Sequence, residues 1–163
     1  MVLGDYFYYK VGKKLVGEQA TRISLYLYIP NRFYNIYVIR CFGNSVESIL
    51  TLVLFNFYLE ISSKFDLNII WYTIIMIVSM MIRCTSPLGW IPLILYKLIM
   101  KGSFVAFLKS GILIGLPTLG FLTLIDSIYY GQFTFVPFTF LYKNLIDDVS
   151  RSFGVSSPLF YLI

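Results

Sequence analysis

The chain has 163 residues, 58% of them hydrophobic and 13% charged, with a mean hydropathy of +0.78. A soluble domain carries roughly 25% charged residues, and no soluble core of this size absorbs so much apolar surface, so the chain belongs in a membrane. The net charge of +5 lies in short loops between apolar runs, where it reports topology and not nucleic acid; with no His and only Cys41 and Cys84, the commonest general base, the commonest metal ligand and a structural zinc site are all excluded.

Residues 1–22 carry Lys10, Lys13, Lys14 and Arg22 against Asp5 and Glu18. Gly12 and Gly17 point to a short turn, and Val2 to Tyr9 reads as the end of a span that begins earlier, with an interfacial helix as the alternative. Residues 2–14 show no signal-peptide core or cleavage site. The first clear span is Ile23 to Ile39, interrupted by Pro30-Asn31-Arg32, which predicts a kink at Pro30. Asn44 to Leu59 is the second, followed by a polar loop over 60–66. Leu67 to Ile82 is the third, with Trp71 and Tyr72 near its start as at a membrane interface. After the break Arg83-Cys84-Thr85-Ser86-Pro87 comes the fourth, Leu88 to Met100, with Pro92 inside it. Lys97, Lys101 and Lys109 frame a turn at Gly102-Ser103. Gly111 to Ile125 is the fifth; its Gly115, Pro117 and Gly120 are small residues that let helices approach closely, and it ends at Asp126. Residues 132–157 read as an aromatic-rich loop with weak helical character over 141–149.

The expected fold is therefore all-α, a polytopic helical bundle of about five spans with a polar loop near the C-terminal end. It forms a single partial membrane domain over 1–163, with a lead-in over 1–22, transmembrane helices over 23–126 and a loop over 127–157. Several spans hold only ~16 residues, or ~24 Å, which suits a thinner bilayer such as that of the endoplasmic reticulum.

Charge gives an orientation. Loops 1–22, 60–66 and 97–109 share one side and hold Lys10, Lys13, Lys14, Arg22, Lys64, Lys97, Lys101 and Lys109. Loops 40–44, 83–87 and 126–157 share the other and hold Arg40, Arg83, Lys143 and Arg151. The excess of basic residues puts the first set in the cytosol. Arg40, Glu47, Arg83 and Asp126 then fall together at the opposite face, an arrangement expected of a polar cavity, although charges at helix ends are also common.

The most informative stretch is Arg40-Cys41-Phe42-Gly43-Asn44-Ser45-Val46-Glu47, a polar island between apolar runs. Asn44 as a helix cap with Glu47 reaching back forms a capping box, which accounts for both residues but not for Arg40. Cys41 and Cys84 each follow an Arg; two free thiols are the expected state, with a disulfide as the alternative if both breaks meet at one cavity.

Arg-x-x-x-Asn-Ser-x-Glu ahead of a membrane helix resembles glycosyltransferase family 22, the dolichol-phosphate-mannose-dependent mannosyltransferases of the endoplasmic reticulum. The resemblance extends along nearly the whole chain and is strongest to the glycosylphosphatidylinositol (GPI) branch that adds the third mannose. Leu3-Gly4-Asp5 with Gly17-Glu18 resembles the lead-in, and Ile82-Arg83-x-Thr85 with Trp90-x-Pro92-Leu93 a second island. Asp126-x-x-Tyr129-Tyr130-Gly131-Gln132-Phe133 and Phe140-Leu141-x-x-Asn144 resemble a third, with Ser152-Phe153-Gly154 beyond it. The family's His-Pro-Asp-Glu loop, whose acidic residue is the expected catalytic base, is absent, and Val155-Ser156-Ser157-Pro158 keeps a later Pro without its His. The chain thus resembles an internal piece of such an enzyme and is not expected to be active alone.

The resemblance implies transfer of mannose, with inversion to an α-1,2 link, from dolichol-phosphate-mannose to a GPI-precursor glycolipid in a multi-pass endoplasmic reticulum protein. Membrane lipids are the remaining partners; neither nucleic acid, cofactor nor metal is implied. Such chemistry needs a base for the acceptor hydroxyl and cations for the leaving phosphate. The base lies outside the chain unless Glu47 or Asp126 substitutes. Arg40, Asn44, Glu47, Arg83, Asp126 and Asn144 are the implied substrate-binding residues. Arg40 and Arg83 are candidates for the donor phosphate through bidentate guanidinium contacts, or else ion-pair partners of Glu47 or Asp126 that fix helix ends. Another family 22 enzyme (fourth GPI mannose or N-glycan precursor), a non-catalytic membrane subunit and a lipid transporter stay open as alternatives, although charges at helix ends rather than mid-span disfavour transport.

Overall fold

The computed structural model of the chain describes residues 2–31 and 43–146, apart from the side chains of Asn44 and Leu145. These residues are helical and fall into two compact units, Met1–Leu122 and Thr123–Ile163.

The first unit opens with an antiparallel hairpin of α1 (Val2–Val16) and α2 (Glu18–Tyr28). The turn is made by Gly17 alone, whose φ of 87° is costly for any residue with a Cβ. Gly12, expected in the turn, lies inside α1. Its role is close approach: a Cβ there would stand 2.7 Å from the Thr21 Cγ2 of α2. Tyr8 and Tyr28 stack across the hairpin with ring centroids 4.5 Å apart, and the Tyr8 and Ser24 hydroxyls bond to each other. α2 begins at Glu18 and ends ahead of Pro30, where the expectation was a kinked span from Ile23. The rest of that span, with Arg32, Arg40 and Cys41, lies outside the described residues, as do 147–163.

α3 (Gly43–Glu60) and α4 (Leu67–Ile82) form the centre of the unit. Asp66 caps α4, its Oδ1 accepting from the Ile69 N–H at 3.0 Å. After Ile82 the chain turns through a 3₁₀ segment, Ser86–Trp90, into α5 (Ile91–Met100). Pro92 lies in the first turn of α5, where its missing N–H costs nothing, rather than inside a span starting at Leu88. Gly102, at φ 60°, turns the chain into α6 (Phe104–Ser110), a π-helical segment Gly111–Gly115 and α7 (Leu116–Tyr130). The Leu116 N–H reaches back to the Gly111 carbonyl, a π-type bond immediately before Pro117, which has no N–H to give. Gly115 meets Thr73 and Ile77 of α4 closely, whereas Gly120 faces open space. The helix expected over Gly111 to Ile125 thus runs from Phe104 to Tyr130 and takes in both Lys109 and Asp126.

The core joins Leu54, Tyr58, Ile61, Ile69, Tyr72, Trp90 and Ala106. Trp90 is its keystone, with its ring 4.8 Å from Phe55 and 5.7 Å from Tyr72. The unit has two poles. At one, Lys14 at the end of α1 bonds Asn56 Oδ1 (2.8 Å) and the Glu60 carboxylate of α3, while Lys97 donates to the Ile61 carbonyl (2.8 Å) and Ser103 to that of Ser62 (3.4 Å). Residues 13–18, 60–66 and 101–103 therefore gather there, as the alternation of loops predicts. At the other pole the start of α3 meets the end of α4. The 18 residues of α3 separate the poles by ~27 Å, close to a hydrocarbon core.

In the second unit α7 gives way to α8 (Val136–Leu145), with Pro137 in its first turn. The region expected as a loop with weak helix near 141–149 thus holds a defined helix starting earlier. The all-α class holds. Among the described residues one helix, Phe104–Tyr130, is long and apolar enough to cross a membrane; Leu67–Ile82 and Ser86–Met100 are apolar but shorter, so about five spans remain an expectation.

Candidate functional site

Two of the candidate residues meet in the first unit. Arg83, at the end of α4, places Nη1 2.5 Å from Oε2 of Glu47 in the first turns of α3. The sequence explains how Arg83 is held. Its backbone is extended (φ −146°, ψ 107°), so the helix ends there, and its N–H still donates to Ser79 O at 2.9 Å. The loop is pinned behind it by a buried Ser79–Ser86 hydroxyl bond of 2.7 Å and by Ser86 N–H donating to Arg83 O at 2.9 Å. The Glu47 side chain is 19% exposed and that of Arg83 47%, so water screens the pair.

Of the expected capping box, the Asn44 side chain lies outside the described residues, and the Glu47 carboxylate is turned to Arg83. A carboxylate gains more from a fixed guanidinium than from an N–H that the helix leaves to solvent. Arg40 also lies outside the described residues. Cys84 is a free, half-buried thiol whose pKa is pushed up by burial, which leaves it protonated and weakly nucleophilic at neutral pH; the question of a Cys41–Cys84 bridge lies outside the described residues. A cleft of about 390 Å³ opens beside the pair, with Glu47, Ser48 and Thr51 leading down α3 to Leu52 and Phe55, and Tyr8 and Tyr28 forming its wall.

The Trp90-x-Pro92-Leu93 half of the second island serves packing. Trp90 fills the aromatic core, Pro92 starts α5 and the Leu93 carbonyl accepts from Tyr58 Oη at 2.9 Å.

The other two candidates belong to the second unit. Asp126 is half-buried on α7 and has no hydrogen-bond or ion-pair partner among the described residues. Asn144 on α8 donates Nδ2–H to Phe140 O at 2.8 Å and lines an open cleft of about 500 Å³. The opposite wall is the Tyr130–Thr134 turn. Gly131 (φ 67°) reverses the chain, its N–H donating to Ile128 O at 3.3 Å, as at a glycine-terminated helix end. Thr134 N–H then donates to Ser127 Oγ at 3.0 Å and ties the turn back to α7. Tyr130-Gly131-Gln132 and Phe140-x-x-x-Asn144, separate blocks in sequence, are thereby two walls of one site. Sequence reasoning missed Gln132, Thr134, Thr139 and Lys143 as lining residues. The spacing of four between Thr139 and Lys143 marks their shared helix face. Among the described residues no three His, Cys, Asp or Glu side chains converge as metal ligands would.

The chain is 28% identical over 156 residues to the Arabidopsis thaliana protein named mannosyltransferase APTG1, covering 93% of this chain and 28% of that protein. It is 26% identical over 153 residues to the Bos taurus GPI alpha-1,2-mannosyltransferase 3, with the same coverage of 93% and 28%. It is 30% identical over 179 residues to the Debaryomyces hansenii GPI mannosyltransferase 3, covering 98% of this chain and 31% of that protein. The chain thus spans about 28–31% of the length of these curated relatives. No solved structure matches it. Residues 1–163, the entire chain, match the Alg9-like mannosyltransferase family, and the chain belongs to that family, the family 22 that its motifs resemble.

Proposed function

We propose that this chain is part of a GPI mannosyltransferase of the endoplasmic reticulum membrane, a multi-pass enzyme that moves the third mannose, in α-1,2 linkage, from dolichol-phosphate-mannose to a GPI-precursor glycolipid. The observation that carries the reading is its likeness to the cattle GPI alpha-1,2-mannosyltransferase 3 over 93% of its own length and to the Debaryomyces hansenii GPI mannosyltransferase 3 over 98%. The geometry supports it in one respect: Arg83 and Glu47, from two separate islands, meet at one pole of the first unit, where the positive-inside argument places the lumenal face. In this reading 1–22 is a cytosolic lead-in, 23–126 crosses the membrane and 127–157 lies in the lumen. Arg40, Asn44, Glu47, Arg83, Asp126 and Asn144 contact substrate, and Arg83 offers its second guanidinium nitrogen to the donor phosphate while Glu47 holds the first.

The test is a chimera in which this chain replaces the matched stretch of the Bos taurus protein, expressed in cells lacking that protein. The expected result is loss of the accumulated two-mannose precursor and return of surface GPI-anchored protein. A chimera present at normal levels that leaves the precursor at two mannoses overturns the reading. Arg83→Lys in the active chimera is expected to raise the KM for dolichol-phosphate-mannose or lower kcat, since an ammonium lacks the planar fork.

A further inference from the structure

We infer that the groove along the start of the Phe104–Tyr130 helix holds one anionic glycerophospholipid, with an acyl chain in the groove and Lys101 and Lys109 on the headgroup phosphate. The groove has a volume of about 380 Å³ and runs between Leu98 of α5 and Phe104, Leu108, Gly111, Ile112 and Leu116. Its wall is apolar, so nothing in it asks for a hydrogen bond. From Phe104 to Leu116 it measures ~18 Å at ~1.5 Å per residue, close to one leaflet of a ~30 Å hydrocarbon core. Gly111 keeps the middle open: a Cβ there would meet no atom within 4 Å. Leu108, Ile112 and Leu116 are exposed along the same face.

The mouth of the groove supplies the charge. Lys101 caps α5 three residues past Leu98, on the same helix face, and Gly102 then turns the chain into Phe104. Lys109 follows Leu108 on the helix that forms the wall, and its long stem lets the ammonium snorkel toward the interface. Lys64 joins them, because Ser103 donates to Ser62 O (3.4 Å) and so ties loop 60–66 to the 101–103 turn. All three lysines are exposed and have no acidic partner among the described residues, and the chain around them, 54–74 and 91–119, is described throughout. The carboxylates of this pole are already engaged: Glu18 by Lys13 and Arg22, Glu60 by Lys14, and Asp66 by Ser62 Oγ (3.1 Å) and the Ile69 N–H (3.0 Å). A second protein helix would satisfy the apolar wall, but cations gathered above it without carboxylates select a headgroup of net negative charge. The groove opens at the pole opposite Arg83 and Glu47, away from the proposed transfer chemistry. In the orientation argued above that pole meets the cytosolic leaflet, where anionic lipids concentrate.

The full chain in detergent micelles is titrated with dioleoyl phosphatidylserine and, as the control without net charge, dioleoyl phosphatidylcholine; lipid retained per chain is read by native mass spectrometry. One saturable phosphatidylserine per chain is expected, with phosphatidylcholine about tenfold weaker or more. Lys101→Gln should weaken phosphatidylserine about fivefold, and Lys101→Gln combined with Lys109→Gln about 25-fold, since each lysine near a lipid surface contributes comparably. Lys101→Arg should retain the binding. Gly111→Leu fills the groove without meeting protein atoms and should weaken both lipids alike. Equal retention of the two lipids, an unchanged preference in the double lysine variant, or an unchanged phosphatidylserine affinity in Gly111→Leu overturns the inference. So would dimers that form without bound lipid and that Gly111→Leu dissolves, which would make the groove an interface between copies of the chain. Lipid retention is read without mannose transfer, so its failure leaves the mannosyltransferase reading untouched.

Discussion

Tyr72 carries its ring into the aromatic core at 2% exposure, yet its hydroxyl has no hydrogen-bond partner among the described residues. The ring contributes through edge contacts with Trp90 at 5.7 Å and Phe107 at 6.0 Å, while an unpaired buried hydroxyl costs about 1–3 kcal/mol. Tyr72→Phe should therefore leave the thermal midpoint in detergent unchanged or raise it; a clear fall would reveal a partner such as a buried water. Lys97 is the opposite case. It is buried, it donates to the Ile61 carbonyl just past the end of α3, and its ammonium lies 5.0 Å from the centre of the Tyr58 ring. Lys97→Met keeps the stem but strands that carbonyl, and we expect a loss of about 1–3 kcal/mol in denaturant unfolding. A wild-type midpoint would show that the carbonyl finds another donor.

Among elements, the α1–α2 hairpin shows how a short sequence sets a helix pair. Gly17 supplies the left-handed turn, Gly12 lets Thr21 approach, and Glu18 accepts from Lys13 at 2.9 Å and from Arg22 at 2.6 Å. The Lys13 and Arg22 side chains hold Glu18 below the usual carboxylate range, and Glu18 raises Lys13. A lowered carboxyl pKa stabilises above the unfolded carboxylate pKa and is lost as pH falls through the folded value. A raised lysine pKa stabilises fully below the unfolded lysine pKa and is lost as pH rises through the folded one. The hairpin is thus tightest across the broad neutral window between the two. A ¹³C titration of the Glu18 carboxyl in micelles should give a depressed midpoint that moves upward in Lys13→Met. An unshifted midpoint in the wild-type chain would mean that the exposed triad is fully screened. The long Phe104–Tyr130 helix carries a different device: the π segment before Pro117 absorbs the proline within the helix, and Ser110, bonded to Thr73 Oγ1 at 2.6 Å, ties that point to α4.

At the scale of the whole chain, the basic residues argue for one orientation. Residues 13–18, 60–66 and 101–103 share a pole of the first unit, and that pole carries Lys13, Lys14, Lys64 and Lys101. It is expected to face the cytosol. An N-glycosylation acceptor inserted at Ser103 should stay unmodified, and one inserted beside Gln132 should gain a glycan. Modification at Ser103 with none at Gln132 would invert the topology and remove Arg83 and Glu47 from the lumenal side.

Much of this protein follows from one-dimensional information. The all-α class, the membrane setting, α4 from Leu67 to Ile82 and the alternation of loops come from apolar run length and charge placement, which are local quantities. Family membership came from motif order, also a property of the linear chain. The sequence could not say which partner Glu47 takes, because a capping box and an ion pair use the same carboxylate and the choice depends on where Arg83 arrives 36 residues later. Nor could it say that Trp90 and Leu93 serve the core rather than a substrate, that Gly12 and Gly115 mark helix contacts while Gly120 does not, or that Lys143 lines a cleft with Gln132. Each of these depends on the distance between segments remote in sequence. Short-range propensity and hydrophobic pattern determine which helices form; how they pack decides what their polar side chains meet.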